Sequence, residues 1–191
     1  YIEGNSFAKI KAQFRFQSYR GTTLILDEPS SILLDNQKLK AEHDYFSGAY
    51  YSASPEIVGF SGNHKFIFIS RDRRKYEEDF SFTPFVLIDE KLDSVSKKAG
   101  LVLSYKGLQE GDILTIGIKD TAEATQNFYE TRIIKDGQII ISPQDLQLLK
   151  PGPVYITTEK KEIKTLKQAT GSEGNIEITY SLKEKRSFLK D

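Results

Sequence analysis

The feature that most constrains this chain is the run Leu148-Leu149-Lys150-Pro151-Gly152-Pro153-Val154-Tyr155-Ile156. Pro151 and Pro153 lack the amide a β-ladder needs, Gly152 reaches backbone angles closed to other residues, and Val154 to Ile156 then starts an apolar strand. A tyrosine at that place can bury its ring while its hydroxyl ties the corner down. A corner of this kind, with Leu149, Pro151, Gly152 and Tyr155 as its structural residues, belongs between the sheets of a β-sandwich.

The rest of the chain carries the two-residue period of strands. Ile10, Ala12, Phe14 and Phe16 alternate with Lys9, Lys11, Gln13, Arg15 and Gln17, predicting one amphipathic strand over residues 7–17. Ile32 to Leu34, Asp35-Asn36-Gln37 and Lys38-Leu39 read as a tight hairpin, and His64–Ser70 with Tyr76–Phe82 as a second one around the charged turn Asp72 to Lys75. Later, Leu101–Tyr105, the row Leu114, Ile116 and Ile118, Phe128–Lys135, Gln138–Ile141, Val154–Thr158 and Ile176–Leu182 are strand-like. Asp136-Gly137 is the dipeptide a two-residue hairpin favours, because both central residues need positive φ. Ser142-Pro143 has the form of a helix start, giving one or two turns before the corner.

With 191 residues, two domains of about 90 to 100 residues fit the usual size range. Thr83-Pro84 and the aperiodic stretch Ile88–Gly100 place the junction between residues 83 and 100, giving domains at 1–88 and 89–191. The corner Leu149-Lys150-Pro151-Gly152-Pro153-Val154-Tyr155 resembles the one before the sixth strand of fibronectin type III and related immunoglobulin-like domains. The resemblance implies an all-β fold of two tandem immunoglobulin-like or fibronectin-like β-sandwich domains. The arrangement also looks like that of bacterial cell-envelope proteins, lipoproteins among them.

Charge and composition narrow the chemistry. Lys plus Arg and Asp plus Glu both number 27, so no nucleic-acid partner is expected; Lys160–Lys167 and Lys183–Arg186 interleave acids among their bases. No cysteine is present, which removes disulfides, thiolate metal sites and cysteine nucleophiles from these residues. The chain starts at Tyr1 and has no methionine, which fits either a processed mature protein or an expressed fragment. The expected location is extracytoplasmic, in the periplasm or at the cell surface, with a lipid anchor ahead of Tyr1 as the membrane tether.

No hydrolase signature is found. His43 and His64 have no metal-ligand spacing and read as surface or strand-edge residues. Glu77 and Asp79 fall on one strand face and are the pair glycoside chemistry would use; the ordinary reading is a solvated face opposite Arg71, Arg73, Arg74 and Lys75. Asp112, Asp120 and Asp136 read as turn formers and fit no calcium loop. No catalytic residue, metal or cofactor is therefore expected.

One segment has the composition of a recognition loop, Tyr45-Phe46-Ser47-Gly48-Ala49-Tyr50-Tyr51-Ser52-Ala53-Ser54. Tyrosine offers large contact area at low entropic cost. Tyr45, Tyr50 and Tyr51 are the candidate binding residues; the ordinary alternative packs Phe46 and Tyr51 into the core. The expected function is a non-enzymatic binding or structural protein, an adhesion or spacer element with a protein or glycan surface as its partner. The alternative is a carbohydrate-binding module using the tyrosine-rich surface.

Overall fold

The computed structural model describes residues 7–16, 20–88, 92–120, 127–167, 175–182 and 185–191. Gln17, Lys183 and Glu184, part of the pattern above, lie outside the described residues. The chain is all-β, in several sheets of β-sandwich-like character. It divides into two compact units, the first built on Ala8–Thr83 with Glu162–Thr179 and the second on Pro84–Lys161 with Tyr180–Asp191. The sequence placed a single division at 88/89; the units divide at Thr83/Pro84, and a later segment joins the first of them.

In the first unit, β1 (Phe7–Ala12) pairs antiparallel with β7 (Gly48–Ala53), and β7 pairs with β6 (Ala41–Asp44). Short strands β2 (Phe14–Arg15) and β3 (Thr23–Leu24) form a separate ribbon. A further sheet has the order β5-β4-β8-β9, from Gln37–Lys38, Ser31–Leu34, Gly62–Ile69 and Lys75–Phe82. Asp35 and Asn36 carry the β4–β5 turn with φ of 48° and 68°, which is why short polar residues stand there.

The long amphipathic strand expected over residues 7–17 is interrupted. Ala8, Ile10 and Ala12 are buried, but the ladder to β7 ends at Ala12–Tyr51, and Phe16 is 58% exposed. The reason is a change of partner: Phe14 and Arg15 pair with Leu24 and Thr23, while the Gln13 amide turns to the carbonyls of Ser47 and Ala49. Phe14 still packs, its ring 5.0 Å from Phe68 and 5.9 Å from Tyr51. His64 also departs from expectation: its ring stacks on Phe60 at 3.7 Å and its Nδ1 lies 2.7 Å from Asp35 Oδ2, so the side chain is covered.

In the second unit one sheet holds β10 (Val86–Leu87), β12 (Leu101–Lys106) and β15 (Gln138–Ile141). The other contains β11 (Ser94–Ser96), β13 (Ile113–Asp120), β14 (Asn127–Ile133), the start of β16 (Gly152–Thr165) and β18 (Lys185–Lys190). β13 lies between β14 and β16, and β16 also pairs with β18, along which β11 runs parallel. β17 (Asn175–Ser181) begins in the first unit, beside β1, and ends in the second. β11 is a strand inside the stretch that sequence left aperiodic; three residues are too few to show a period.

Leu101, Leu103 and Tyr105 from one sheet, with Leu114, Ile116, Ile118, Val154 and Ile156 from the other, are buried, as period-two strands require when each sheet covers one face. Each such aliphatic side chain contributes about 1.5–3 kcal/mol by leaving water. Asp136 and Gly137 take φ of 50° and 71°, and Lys135 and Gln138 exchange backbone hydrogen bonds across them. The helix α1 (Pro143–Leu146) starts with a capping box between Ser142 and Asp145. At the corner, Leu149 is buried and Gly152 sits at φ 138°. Tyr155 lies on the opposite face from Val154 and Ile156 and is only half-buried, because those two residues hold the inward positions of β16. Among the described residues of this unit the buried tyrosines are Tyr105 and Tyr180.

Candidate binding site at the β6–β7 hairpin

The three tyrosines singled out from sequence separate. Tyr45 is 92% exposed, whereas Tyr50 and Tyr51 are 7% and 4% exposed. Tyr51 serves the fold: its hydroxyl accepts the Leu26 amide at 2.8 Å and its ring meets Phe14 edge-on. Tyr50 lies under the ammonium groups of Lys11 and Lys9, at 4.2 and 5.3 Å from the ring centroid. Loss of solvent, followed by the neighbouring Glu42 carboxylate, raises its phenol pKa above the ordinary value.

Beside Tyr45 stands Phe46, 95% exposed, contrary to the reading that packs it into the core. The two rings meet edge to face, centroids 5.4 Å apart at 89°. The local sequence dictates this. Asp44 accepts the amides of Phe46 at 2.9 Å and Ser47 at 2.5 Å, an Asx-type turn that leaves residues 45 and 46 at the tip. Gly48 follows at φ 71°, a conformation a bulged hairpin of this loop length reserves for glycine. The base is pinned by Gln13, whose amide donates to the Ser47 and Ala49 carbonyls at 2.6 and 3.0 Å, and by Thr23 Oγ1, which accepts the Ala49 amide at 2.8 Å. The Ser47 amide first, with the Phe46 amide and the Lys11 charge adding to it, holds the Asp44 carboxyl below its usual range. The turn is therefore fully formed near neutral pH. The Asp44…Ser47-Gly48 pattern was the signal in the sequence that placed Phe46 outside.

The other candidates are placed differently. Glu77 and Asp79 do share a face, but Lys65 Nζ stands with them at 2.7 and 3.6 Å, and Lys75 reaches Glu77 at 2.5 Å. The two lysines hold the Glu77 carboxyl down to about 2. Of the cations expected opposite this face Lys75 takes part, while Arg74 pairs with Asp72. Asp112 pairs with Lys160 at 2.9 Å. Among the described residues no three His, Cys, Asp or Glu side chains gather as metal ligands. An open depression of about 360 Å³ in the second unit is lined by Leu92, Val95, Ala99, Leu101 and Val102, with Ser94 and Ser96 as its polar side chains.

Compared with protein-family models, curated proteins and solved structures, the chain matches none. The resemblance to immunoglobulin and fibronectin type III domains stays one of the Leu149–Tyr155 corner in the sequence, and the fold is all-β with several sheets.

Proposed function

We propose that this is a non-enzymatic, extracytoplasmic binding or structural protein of a bacterial cell envelope, acting through surfaces that two β-sandwich units of immunoglobulin or fibronectin type present. Strand order in the second unit supports the fold half of this reading. The chain changes sheets between β12 and β13, again between β14 and β15, and again through α1 and the Pro-Gly-Pro corner into β16, a Greek-key path with β11 alongside the last strand.

The observation that carries the functional half is the Tyr45–Phe46 tip. Two large rings are held out of the core by a turn whose every support is a side chain of this chain, so little ordering remains to be done on binding. A protein partner fits better than the alternative, a carbohydrate-binding module. A sugar platform stacks flat rings side by side, whereas these rings are perpendicular and suit clasping a side chain.

The test is co-sedimentation of the full chain with isolated bacterial envelopes, with and without prior protease or periodate treatment, against the double variant Tyr45→Ser, Phe46→Ser. Saturable binding that protease abolishes and the variant lacks supports the reading. Loss on periodate instead moves the assignment to glycan, and equal binding by wild type and variant removes the tip from function.

A further inference from the structure

We infer that the free edge of β6 pairs with an extended, basic segment of the partner polypeptide, with Tyr45 and Phe46 closing on one end of it. This deepens the reading of the hairpin as the binding site and rests on it.

The argument starts from the backbone. In an antiparallel ladder, residues alternate between those bonded to the neighbouring strand and those whose amide and carbonyl face away. Ala49 uses its amide on Thr23 and its carbonyl on Gln13, so its cross-strand mate His43 is not bonded to β7; the bonded pairs are Glu42–Tyr50 and Asp44–Gly48. Ala41 and His43 therefore turn their N–H and C=O groups to the outer side of β6, which is the last strand of its sheet among the described residues. Exposed groups of this kind, hydrogen-bonded to water in the free protein, are a ready template for another strand.

The opposite treatment is visible at β9, the outer strand of the other sheet in this unit. There Lys164 Nζ caps the outward carbonyl of Asp79, and the strand carries Glu77 and Asp79. Charge and a lysine lid are ordinary devices against edge pairing. β6 carries charge as well, in Glu42 and Asp44, but among the described residues no lysine caps its outward groups, and the aromatic tip stands at its end.

Side-chain charge selects the partner. Glu42 and Asp44 lie on one face of β6, two residues apart; Glu42 Oε1 accepts the Ser52 hydroxyl and Asp44 Oδ1 the turn amides, which leaves one oxygen of each carboxylate for the side chains a paired strand sets opposite them. Lysine or arginine at alternate positions is the complement, and a cation beside the tip also finds two ring faces. A second copy fits less well. The two-fold registers that set Ala41 against His43 or His43 against His43 put Glu42 opposite Glu42 or Asp44, like charges directly opposed, and the one that sets Ala41 against Ala41 brings His43 to Leu39, whose amide is already taken by the Ile32 carbonyl.

The test titrates the isotope-labelled full chain with a short peptide of alternating lysine and valine, and with its glutamate counterpart, following backbone amides. The lysine peptide is expected to shift Ala41, His43, Tyr45 and Phe46 saturably and to slow exchange of the His43 amide. His43→Pro, which removes the outward donor, weakens binding about tenfold. Glu42→Lys, which leaves the backbone alone, moves preference to the glutamate peptide. No saturable shift, shifts centred on β14, equal binding of both peptides, or self-association through β6 each overturns the proposal. If envelope binding needs Tyr45 and Phe46 but ignores His43→Pro and Glu42→Lys, the tip reading stands and the strand-pairing proposal fails.

Discussion

The Tyr105 hydroxyl meets the Thr158 hydroxyl at 3.0 Å in the interior of the second unit, joining β12 of one sheet to β16 of the other. Both residues are buried, and burial pushes the tyrosine pKa far above its ordinary value. Tyr105→Phe leaves the Thr158 hydroxyl without that partner and is expected to cost about 1–3 kcal/mol in urea unfolding. Adding Thr158→Val recovers part of the loss, since two apolar groups of similar shape do not need each other; a double variant no better than the single one contradicts the pairing.

Phe85 is the anchor at the start of the same unit. It is fully buried, its ring lies 4.8 Å from Tyr180 and 5.9 Å from Tyr105, and its carbonyl accepts the Tyr180 hydroxyl at 3.2 Å. Phe85→Ala is expected to destabilise by about 3–5 kcal/mol, through lost transfer energy and the cavity left behind. A melting temperature within a degree or so of wild type would show that residue 85 is not core.

Acid titration separates the Glu77 ion pairs from catalysis. A carboxyl held at about 2 by Lys65 and Lys75 is depressed relative to the unfolded chain, so the stability it contributes is present above the unfolded value and lost as pH falls through the folded one. Glu77→Gln is therefore expected to melt below wild type at neutral pH, with the gap closing between about pH 4.3 and pH 2. A gap independent of pH would mean the ion pairs are not the cause.

Turn chemistry was the part of the fold most legible in sequence. Asp35-Asn36, Asp136-Gly137 and Ser142-Pro143 each need only neighbours in the chain to act, and all three make their turns; the strands that Asp136-Gly137 joins, β14 and β15, nevertheless go to different sheets, so the hairpin read there is reduced to the Lys135–Gln138 bridge. What depended on distant partners was less legible. Nothing local to Phe16 says that Gln13 will take the Ser47 carbonyl and end a strand, and nothing near Glu162–Thr179 says that it joins Ala8–Thr83. At the candidate site the composition pointed to the right segment, but a run of aromatics does not say which ring is inward. Tyr50 and Tyr51 alternate into a strand, while the Asp44 turn lifts Tyr45 and Phe46 clear.

The support of the tip has its own test. Gly48 sits at φ 71°, and a Cβ there would press on the Thr23 side chain. Gly48→Ala is expected to cost about 1 kcal/mol or more and to loosen the hairpin. Tyr45→Ser with Phe46→Ser should change stability by no more than about 0.5 kcal/mol, because neither ring is packed. Large destabilisation by the serine pair would place those rings in the core.

The chain contains no tryptophan, so Phe46→Trp installs the sole tryptophan at the hairpin tip, excited selectively at the red edge beyond tyrosine absorption. Its emission titrated with bacterial envelopes tests most directly whether this tip is the binding surface. The account predicts water-exposed, red-shifted emission in the free protein and a saturable blue shift on binding; a buried-type spectrum before binding, or an unchanged one while the protein co-sediments, contradicts it.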